Sequence, residues 1–576
     1  MRYNEGIVNQ KVVKILRELA ILYSLKGVPY KPRAFERAAD AIAALGLDVR
    51  DIYEDGGLKS LEDIPGVGEG IGERIEEFIT TGHIREYARM KKALPIDIVG
   101  ITAIEGIGPK TLVLLYRSLK IRTLAQLEAA ARKGKLAGIR GIGQKGQDRI
   151  ARAIRYMKES GTRKLPGVIW SQLREIVDAI ASWPHVKRVE LVGSLRRMQE
   201  SIGDLDMLAI SDDAADTLNR FVTLRQVQSV YKHGDHSALV RLSMAMDADL
   251  WVMPAESYGA ALIAWTGDKA HNIHLRTLAK RKGLSLDDFG LFKGTRMVAG
   301  ATEAEVYRKL GMDFIPPELR SDSGEIEAAI KHALPDLVGY EDLKGDLQVT
   351  TDWTDGEHSI LTMARAAEAA GLEYIAIADH TKSLTITHGL DARRLAKQWA
   401  EIDRVQKAVP RVKILKGTEC DILRDGRLDL DDATLAQLDV VGVSVHSFMD
   451  LTESAQTARI IRAIENPHAD ILFHPTGRLI GRRSPYPVDI AAVIAAARRT
   501  GTVLEVDSDP NRLDLKDEHV RLAVAAGVKL SIDTDAHSVE HFSFLRWGIG
   551  TARRGWAEKH DVINTRPWKQ MVKLLK

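Results

Sequence analysis

The chain has 576 residues, 45% hydrophobic and 28% charged, with a net charge of +3. At about 100 to 200 residues per domain, that length excludes a single core and implies roughly three to five units. No apolar run approaches the roughly 20 residues that span a bilayer, the opening Met1-Arg2-Tyr3-Asn4-Glu5 is not a signal peptide, and a lone cysteine, Cys420, excludes an internal disulfide, which together predict a cytoplasmic protein with no membrane partner.

The net charge hides an uneven distribution. Residues 101–164 hold 15 Lys plus Arg against 4 Asp plus Glu, a local +11 that leaves −8 for the rest of the chain. A basic front on a near-neutral chain predicts a polyanionic partner. Apolar residues at helical spacing predict helices over 12–23 and 34–44. A short element then recurs three times. Ile64-Pro65-Gly66-Val67-Gly68-Glu69-Gly70-Ile71-Gly72 leads into a helix over 73–78, Ile104-Glu105-Gly106-Ile107-Gly108-Pro109-Lys110 into 111–116, and Ile139-Arg140-Gly141-Ile142-Gly143-Gln144-Lys145 into 146–154. Each reads as a Gly-x-Gly hairpin opening a helix. Glycines let the backbone turn tightly and approach another molecule, and the first turn of the helix offers unpaired N–H groups to a phosphate.

From 188 the texture becomes α/β, with strands predicted over 189–192, 205–210, 238–242 and 250–254. This segment carries Gly193-Ser194-Leu195-Arg196-Arg197, Gly203-Asp204-Leu205-Asp206 and Asp247-Ala248-Asp249. A strand's period of two points Asp204 and Asp206 to one face. Asp249, on a second strand-like segment, completes a three-carboxylate cage for two divalent cations that would activate an attacking oxygen and steady a departing pyrophosphate. The Gly193-Ser194 turn supplies N–H groups, and Arg196 and Arg197 supply cations, suited to a triphosphate.

Helical, turn-rich sequence follows over 257–319, and an acidic stretch through Ser321, Asp322, Ser323 and Gly324 predicts a connection at 317–343. The remainder alternates apolar strands, at 374–378, 412–415, 440–445, 471–473, 502–506 and 529–532, with Ala-rich helices, which predicts a parallel sheet closed into a barrel. Active groups of such barrels gather at the C-terminal strand ends, where this chain puts Asp379-His380, Glu419, His446, His474 and Asp535-Ala536-His537. Histidines and acids in those places predict a polynuclear metal site.

In their order, and over almost the whole chain, these motifs resemble a bacterial family X DNA polymerase joined to a C-terminal polymerase-and-histidinol-phosphatase (PHP) domain; the hairpins resemble the helix-hairpin-helix motif, which grips DNA backbone without reading sequence. The resemblance implies a multidomain α plus α/β fold: a helical DNA-binding domain with the first hairpin over 1–85, a fingers-like helical domain with two hairpins over 86–164, a nucleotidyltransferase palm over 165–256, a small thumb over 257–318, a linker over 319–342 and a distorted parallel β/α barrel over 343–576. It implies that Asp204, Asp206 and Asp249 ligate magnesium or manganese, that Gly193, Ser194 and Arg197 hold the incoming triphosphate, and that Gly267, Asn272 and Arg276 line the nascent base pair, Asn272 at the base edge. Gly66, Gly68, Gly106, Gly108, Lys110, Gly141, Gly143 and Lys145 would meet DNA backbone. In the barrel, Asp355, His380, Glu419, His446, His474, Asp535 and His537 fall on ligand positions of a zinc- or manganese-dependent phosphoesterase, in many relatives a 3'-to-5' exonuclease. The implied partners are gapped or primer-template DNA and deoxynucleoside triphosphates, bound by a monomer.

Several positions depart from the family pattern. Asp346-Leu347-Gln348-Val349-Thr350 stands where an Asp-Leu-His-x-His run is usual, so two nitrogen ligands give way to a weak amide and a hydroxyl, and nuclease activity is expected to be feeble or absent. Arg74 replaces a Schiff-base lysine, which argues against removal of a 5'-deoxyribose phosphate. Ala264-Trp265 replaces a Tyr-Phe pair and loosens the barrier to ribonucleotides, while Asp247 replaces an arginine and adds negative charge favouring manganese. Trp170, Trp183 and Trp399 read as packing residues; Arg478, Arg482 and Arg483 read as a phosphate contact or a solvated loop. The reading of the whole is a gap-filling DNA polymerase of repair. Its rivals are a DNA-end-processing nuclease with a decayed polymerase module and a non-catalytic DNA-binding scaffold.

Overall fold

The computed structural model describes residues 7–43, 48–64, 66–102, 104, 107–159 and 163–576. They divide into two compact units, 1–161 with 481–484, and 162–480 with 485–576.

The first unit is helical, and one apolar cluster runs through it from Val8 to Ile154. Its three hairpins share one construction. The backbone N–H groups of Val67, Ile107 and Ile142 donate to the carbonyls of Ile64, Ile104 and Ile139 at 2.9, 3.0 and 3.0 Å. Ile64, Val67, Ile104, Ile107 and Ile139 are buried, so the apolar positions anchor each turn while Gly66, Gly68, Gly108 and Gly141 stay exposed. Helices Glu69–Thr81, Pro109–Leu119 and Gly143–Glu159 follow. All three begin earlier than the sequence predicts, at Glu69, Pro109 and Gly143, so each helix starts at or directly after the second glycine of its Gly-x-Gly turn. Gly106 lies outside the described residues.

In the second unit, β1 (Val186–Leu191), β2 (Asp204–Ser211), β3 (Val227–His233), β4 (Ser237–Leu242) and β5 (Met246–Met253) form a sheet of order β1-β2-β5-β4-β3. β2 and β5 run parallel and the other neighbours antiparallel. Leu205, Met207 and Ala209 of β2 and Ala248, Leu250 and Val252 of β5 are buried in one apolar cluster, which leaves the alternate positions, the aspartates, on the opposite face. β3 was not among the predicted strands. It is an edge strand exposed along nearly its whole length, so burial imposes no alternation on its sequence.

Helices Tyr258–Thr266 and Lys269–Arg281, the small sheet β6 (Ser285–Leu286), β7 (Leu291–Lys293) and β8 (Arg296–Ala299), and helix Glu303–Lys309 surround a separate core. The acidic connection expected at 319–342 contains a helix, Glu325–Ile330, whose Ile326 and Ala329 are buried in that same core. Seven parallel strands then follow: β9 (Gly345–Val349), β10 (Tyr374–Ile377), β11 (Lys413–Asp421), β12 (Val440–Ser444), β13 (Ile471–Leu472), β14 (Val503–Asp507) and β15 (Leu530–Asp533), in the order β15-β14-β13-β12-β11-β10-β9. A parallel bridge between Val349 and Ala536 nearly closes the barrel. Six of these strands match the sequence reading; β9, which carries Gln348, is the addition.

The barrel and the first sheet are packed together. Ile480, Leu513 and Trp547 from the barrel are buried in the apolar cluster of β2 and β5. Trp170 meets Trp547 edge-on at 5.6 Å with Arg546 4.1 Å over its ring, and Trp183 and Trp399 also pack against cores, so all three tryptophans are packing residues as expected. No helix among the described residues is long and apolar enough to cross a membrane.

Candidate functional site

The parallel register of β2 and β5 sets Asp206 directly beside Asp249, and Asp204 beside Asp247. Asp204, Asp206 and Asp249 therefore share one face across two adjacent strands. Burial first, then the charges of Asp204 and Asp249, push the Asp206 carboxyl up to about 7, against the pull of Arg197. Asp249 is raised by burial and by Asp204, with Lys232 opposing. Repulsion among carboxylates of this kind is what a divalent cation would relieve. Their oxygens are not gathered as tightly as the barrel ligands described below, as mutual repulsion dictates. An oxygen-only donor set on a half-open face suits magnesium or manganese.

Gly193 opens the short helix Gly193–Arg196 with φ +62, and a side chain there would collide with the Asp206 carboxylate, so only glycine lets this turn close over the acids. The two arginines of the turn have separate fates. Arg196 makes a two-pronged ion pair with Glu303 at 2.8 and 2.7 Å, and Glu303 also takes the fully buried Arg320 at 2.6 Å. Arg196 is thus structural, a correction to its reading as a triphosphate cation. Arg197 gives Nη1 to the Thr266 carbonyl at 2.5 Å, stays half-buried beside Asp206, and its Nε has no hydrogen-bond partner among the described residues.

Asn272 turns its amide nitrogen onto the carbonyls of Ala264 and Gly267, at 2.8 and 3.0 Å, and so caps the end of helix Tyr258–Thr266. Gly267 permits that fold-back, since a side chain on it would meet Asn272 Oδ1 at 2.6 Å. Arg276 is exposed on the next helix. Asp247 does not add free negative charge: its cross-strand neighbour Arg241 donates to it at 2.8 Å. Trp265 packs on Trp251 with ring centres 4.0 Å apart, and Trp251 follows Asp249 by two residues on the same strand face.

In the first unit Lys110 and Lys145 are exposed beside their hairpins, and no atom of the described residues lies within 4 Å of where a side chain would stand at Gly68, Gly108 or Gly143. Another molecule can reach that backbone. Arg74 donates to Glu86 at 2.7 Å, and Glu86 also accepts from the Tyr23 hydroxyl at 2.6 Å, so the guanidinium is held in a structural network.

The barrel brings its predicted residues to the C-terminal ends of its strands. Among the described residues, Asp355, His380 and His537 form one group whose ligand atoms all lie within 4.8 Å, and His380, Glu419 and His446 form a second. His380 belongs to both: Nε2 lies 3.5 Å from Asp355 and Nδ1 3.0 Å from Glu419. Both contacts bring His380 close enough to share an ion with each neighbour. His474 Nε2 lies 2.8 Å from Glu419, and Asp535 faces His537 Nδ1 at 3.7 Å. Burial would raise the Glu419 carboxyl, but His380 and His446 hold it well below its usual range; burial would lower His446, but Glu419 and Asp421 lift it to about 10. Mixed nitrogen and oxygen donors fit zinc or manganese. Gln348 and Thr350 are fully buried, and both amide atoms of Gln348 and the Thr350 hydroxyl lack hydrogen-bond partners.

Sequence reasoning overlooked Glu505, Asp507 and Arg512. Arg512 Nε lies 3.4 Å from Asp507 and 3.6 Å from Asp535, and Glu505 accepts the backbone N–H of His474 at 2.5 Å. The signal was present: Glu505 and Asp507 alternate along a predicted apolar strand, as Asp204 and Asp206 do. Asp379, beside His380, is instead consumed by Thr351 at 2.9 and 2.7 Å and by Gln398 at 2.6 Å.

Comparison with known proteins adds the following. Residues 7–84 match the helix-hairpin-helix domain family, 98–155 the SAM-like helix-hairpin-helix tandem, and 261–321 the DNA polymerase beta thumb. The chain is 35% identical over 570 residues to the DNA polymerase/3'-5' exonuclease PolX of Bacillus subtilis, covering 98% of this chain and 99% of that one. It is 24% identical to DNA polymerase lambda of Arabidopsis thaliana over 55% of this chain and 63% of that one. It is 31% identical to a protein named as a probable phosphatase of Thermoanaerobacter, over 31% of this chain and 72% of that one.

Proposed function

Because the chain belongs to the PolX family, the family X DNA polymerases that carry a PHP domain, we propose that Asp204, Asp206 and Asp249 are its nucleotidyl-transfer centre and that it fills short gaps during DNA repair. The enzyme is a DNA-directed DNA polymerase. Its work divides among named parts. The exposed glycines and lysines of the three hairpins take DNA backbone, as unpaired N–H groups at helix starts do. The Gly193-Ser194 turn and Arg197 receive the triphosphate of a deoxynucleotide, and Arg276 and the Gly267-Asn272 cap face the forming base pair. Asp204, Asp206 and Asp249 would hold magnesium or manganese, which would supply activation of the primer 3'-oxygen and neutralisation of the leaving pyrophosphate. The chain's own contribution is placement: the strand register fixes the acids side by side, and Gly193 holds the phosphate-binding turn against them.

The observation that carries this reading is the pairing of Asp206 with Asp249 on adjacent parallel strands beneath a turn that only glycine can make. Asp206→Ala is expected to lower primer extension on gapped DNA by about a thousandfold or more while DNA affinity stays within about twofold. Extension at the normal rate by that variant overturns the assignment.

A second activity, shortening of a DNA 3' end in the barrel, is supported by the two ligand groups that share His380. Zinc or manganese is the metal we propose there, held weakly where Gln348 and Thr350 replace nitrogen donors. The buried Cys420 accords with a reducing compartment, and we place the enzyme in the cytoplasm as a monomer.

A further inference from the structure

The turn that carries Gly193, Ser194 and Arg197 does not end at Arg197. It continues through Met198, in the left-handed region at φ +53, to Gln199 and Glu200, and the backbone ties the two halves together: Gln199 N–H donates to the Ser194 carbonyl at 3.0 Å and Met198 N–H to that of Leu195 at 2.9 Å. The barrel grips this continuation at two points. From the barrel helix Leu545–Arg554, Arg554 donates Nη1 to the Met198 carbonyl and Nε to Asp517 at 2.8 Å; Gly550, on the same helix, lies so close that a side chain there would reach Met198 at 2.8 Å. From the loop after β13, Arg478 places Nη2 2.8 Å from Glu200 and 2.5 Å from the Leu513 carbonyl. Arg478 is only 5% exposed. Neither of its expected roles, phosphate contact or solvated loop, describes a buried guanidinium that joins a barrel carbonyl to a palm carboxylate. Its neighbours lead onward, since Leu513 is buried in the palm core and Arg512 reaches Asp507 and Asp535 in the barrel.

We propose that the barrel is a buttress for the nucleotide-binding turn of the palm, and that Arg478 is a positioning residue of the polymerase reaction, acting through Glu200 on Ser194 and Arg197. The proposal rests on the reading of that turn as the triphosphate site. The left-handed Met198 persists only where its surroundings hold it, and the half-buried Arg478–Glu200 ion pair, set against rigid barrel strands, adds to the turn's own backbone bonds in fixing its angle to the acids. The buttress requires no metal in the barrel. It gives the barrel work in the polymerase reaction even where its ligand set lacks the His-x-His pair.

Steady-state extension of a gapped primer by the full-length chain tests this, with Arg478→Met, Glu200→Gln, the double variant and Arg478→Lys measured for KM of the deoxynucleotide, kcat and thermal midpoint. Each of the first two is expected to raise KM about fivefold or more with kcat within about twofold, the double variant to be no worse than the singles, and Arg478→Lys to recover part of the loss. An unchanged KM in a folded variant overturns the proposal. So does a fall in kcat matching a loss of folded protein, or an additive double variant. If Arg478→Met does not fold, Glu200→Gln decides, and a normal KM there overturns it. Failure is separable from failure of the site itself: an inactive Asp206→Ala with a normal Arg478→Met removes only the buttress, whereas an active Asp206→Ala removes the palm reading beneath it.

Discussion

Asp206 is the residue on which most physical forces meet. Its carboxyl sits half-buried between two other acids and is pushed up to about 7 by that burial and those charges. An unfolded aspartate titrates near about 4, so between about pH 4 and 7 the folded chain holds a proton that the unfolded chain has lost. Without divalent cations, the ionised group thus costs stability that grows as pH rises through that window. Asp206→Asn should raise the thermal midpoint of the cation-free protein by roughly 2 to 8 °C at pH 8 and leave it nearly unchanged at pH 4, measured by scanning fluorimetry. Equal shifts at both values would show that charge is not the cause. The period of two made this acid visible in sequence, whereas Arg241, which neutralises Asp247, was not visible because cross-strand pairing joins positions whose register only the folded sheet fixes. The same period also marks Glu505 with Asp507, and Asp533 two residues before the expected ligand Asp535, as acids in or beside apolar strands.

At the scale of elements, the hairpins illustrate why some pieces are legible. Each sets buried Ile or Val beside exposed Gly, and that contrast between anchor and turn is written in residue type alone. Strands that face a core on one side were legible for the same reason. β3 was not, being an exposed edge, and β9 was not, because its polar Asp346 and Gln348 are buried within the barrel instead of facing water. Helix Glu325–Ile330 hid in a polar stretch because Glu325 points inward, where it meets His271 at 2.7 Å and caps its own helix through Ser323 N–H at 2.6 Å. If the hairpins hold phosphates, reversing charge at Lys110 and Lys145 removes two ionic contacts. The slope of log affinity against log salt should then fall by about 0.9 per lost contact on duplex DNA, with weaker binding to every sequence alike. Fluorescence anisotropy at several salt concentrations reads this, and an unchanged slope would place the DNA elsewhere.

On the scale of the whole molecule, the two metal centres we propose share one unit, and their donor sets are unequal. The palm acids are complete as a set, whereas the barrel lacks nitrogen donors where β9 ends. A buried amide or hydroxyl left without a partner costs about 1 to 3 kcal/mol, and Gln348 and Thr350 are in that condition among a group of otherwise convergent ligands. Neutral oxygen is a poor substitute for imidazole on zinc or manganese, so the weak metal binding we propose for the barrel would follow from these two side chains and not from the strands, which close as a barrel should. Replacing both, Gln348→His with Thr350→His, should therefore tighten metal binding by about ten- to a hundredfold, the range by which supporting groups commonly tune a site. Equilibrium dialysis against manganese followed by elemental analysis measures it directly. Digestion of a labelled 3' end should rise in parallel, and His446→Ala placed on the same background should abolish the gain. If the added histidines bind no more metal, the deficit lies in the remaining ligands, and the barrel's part in this enzyme is mechanical support of the palm alone.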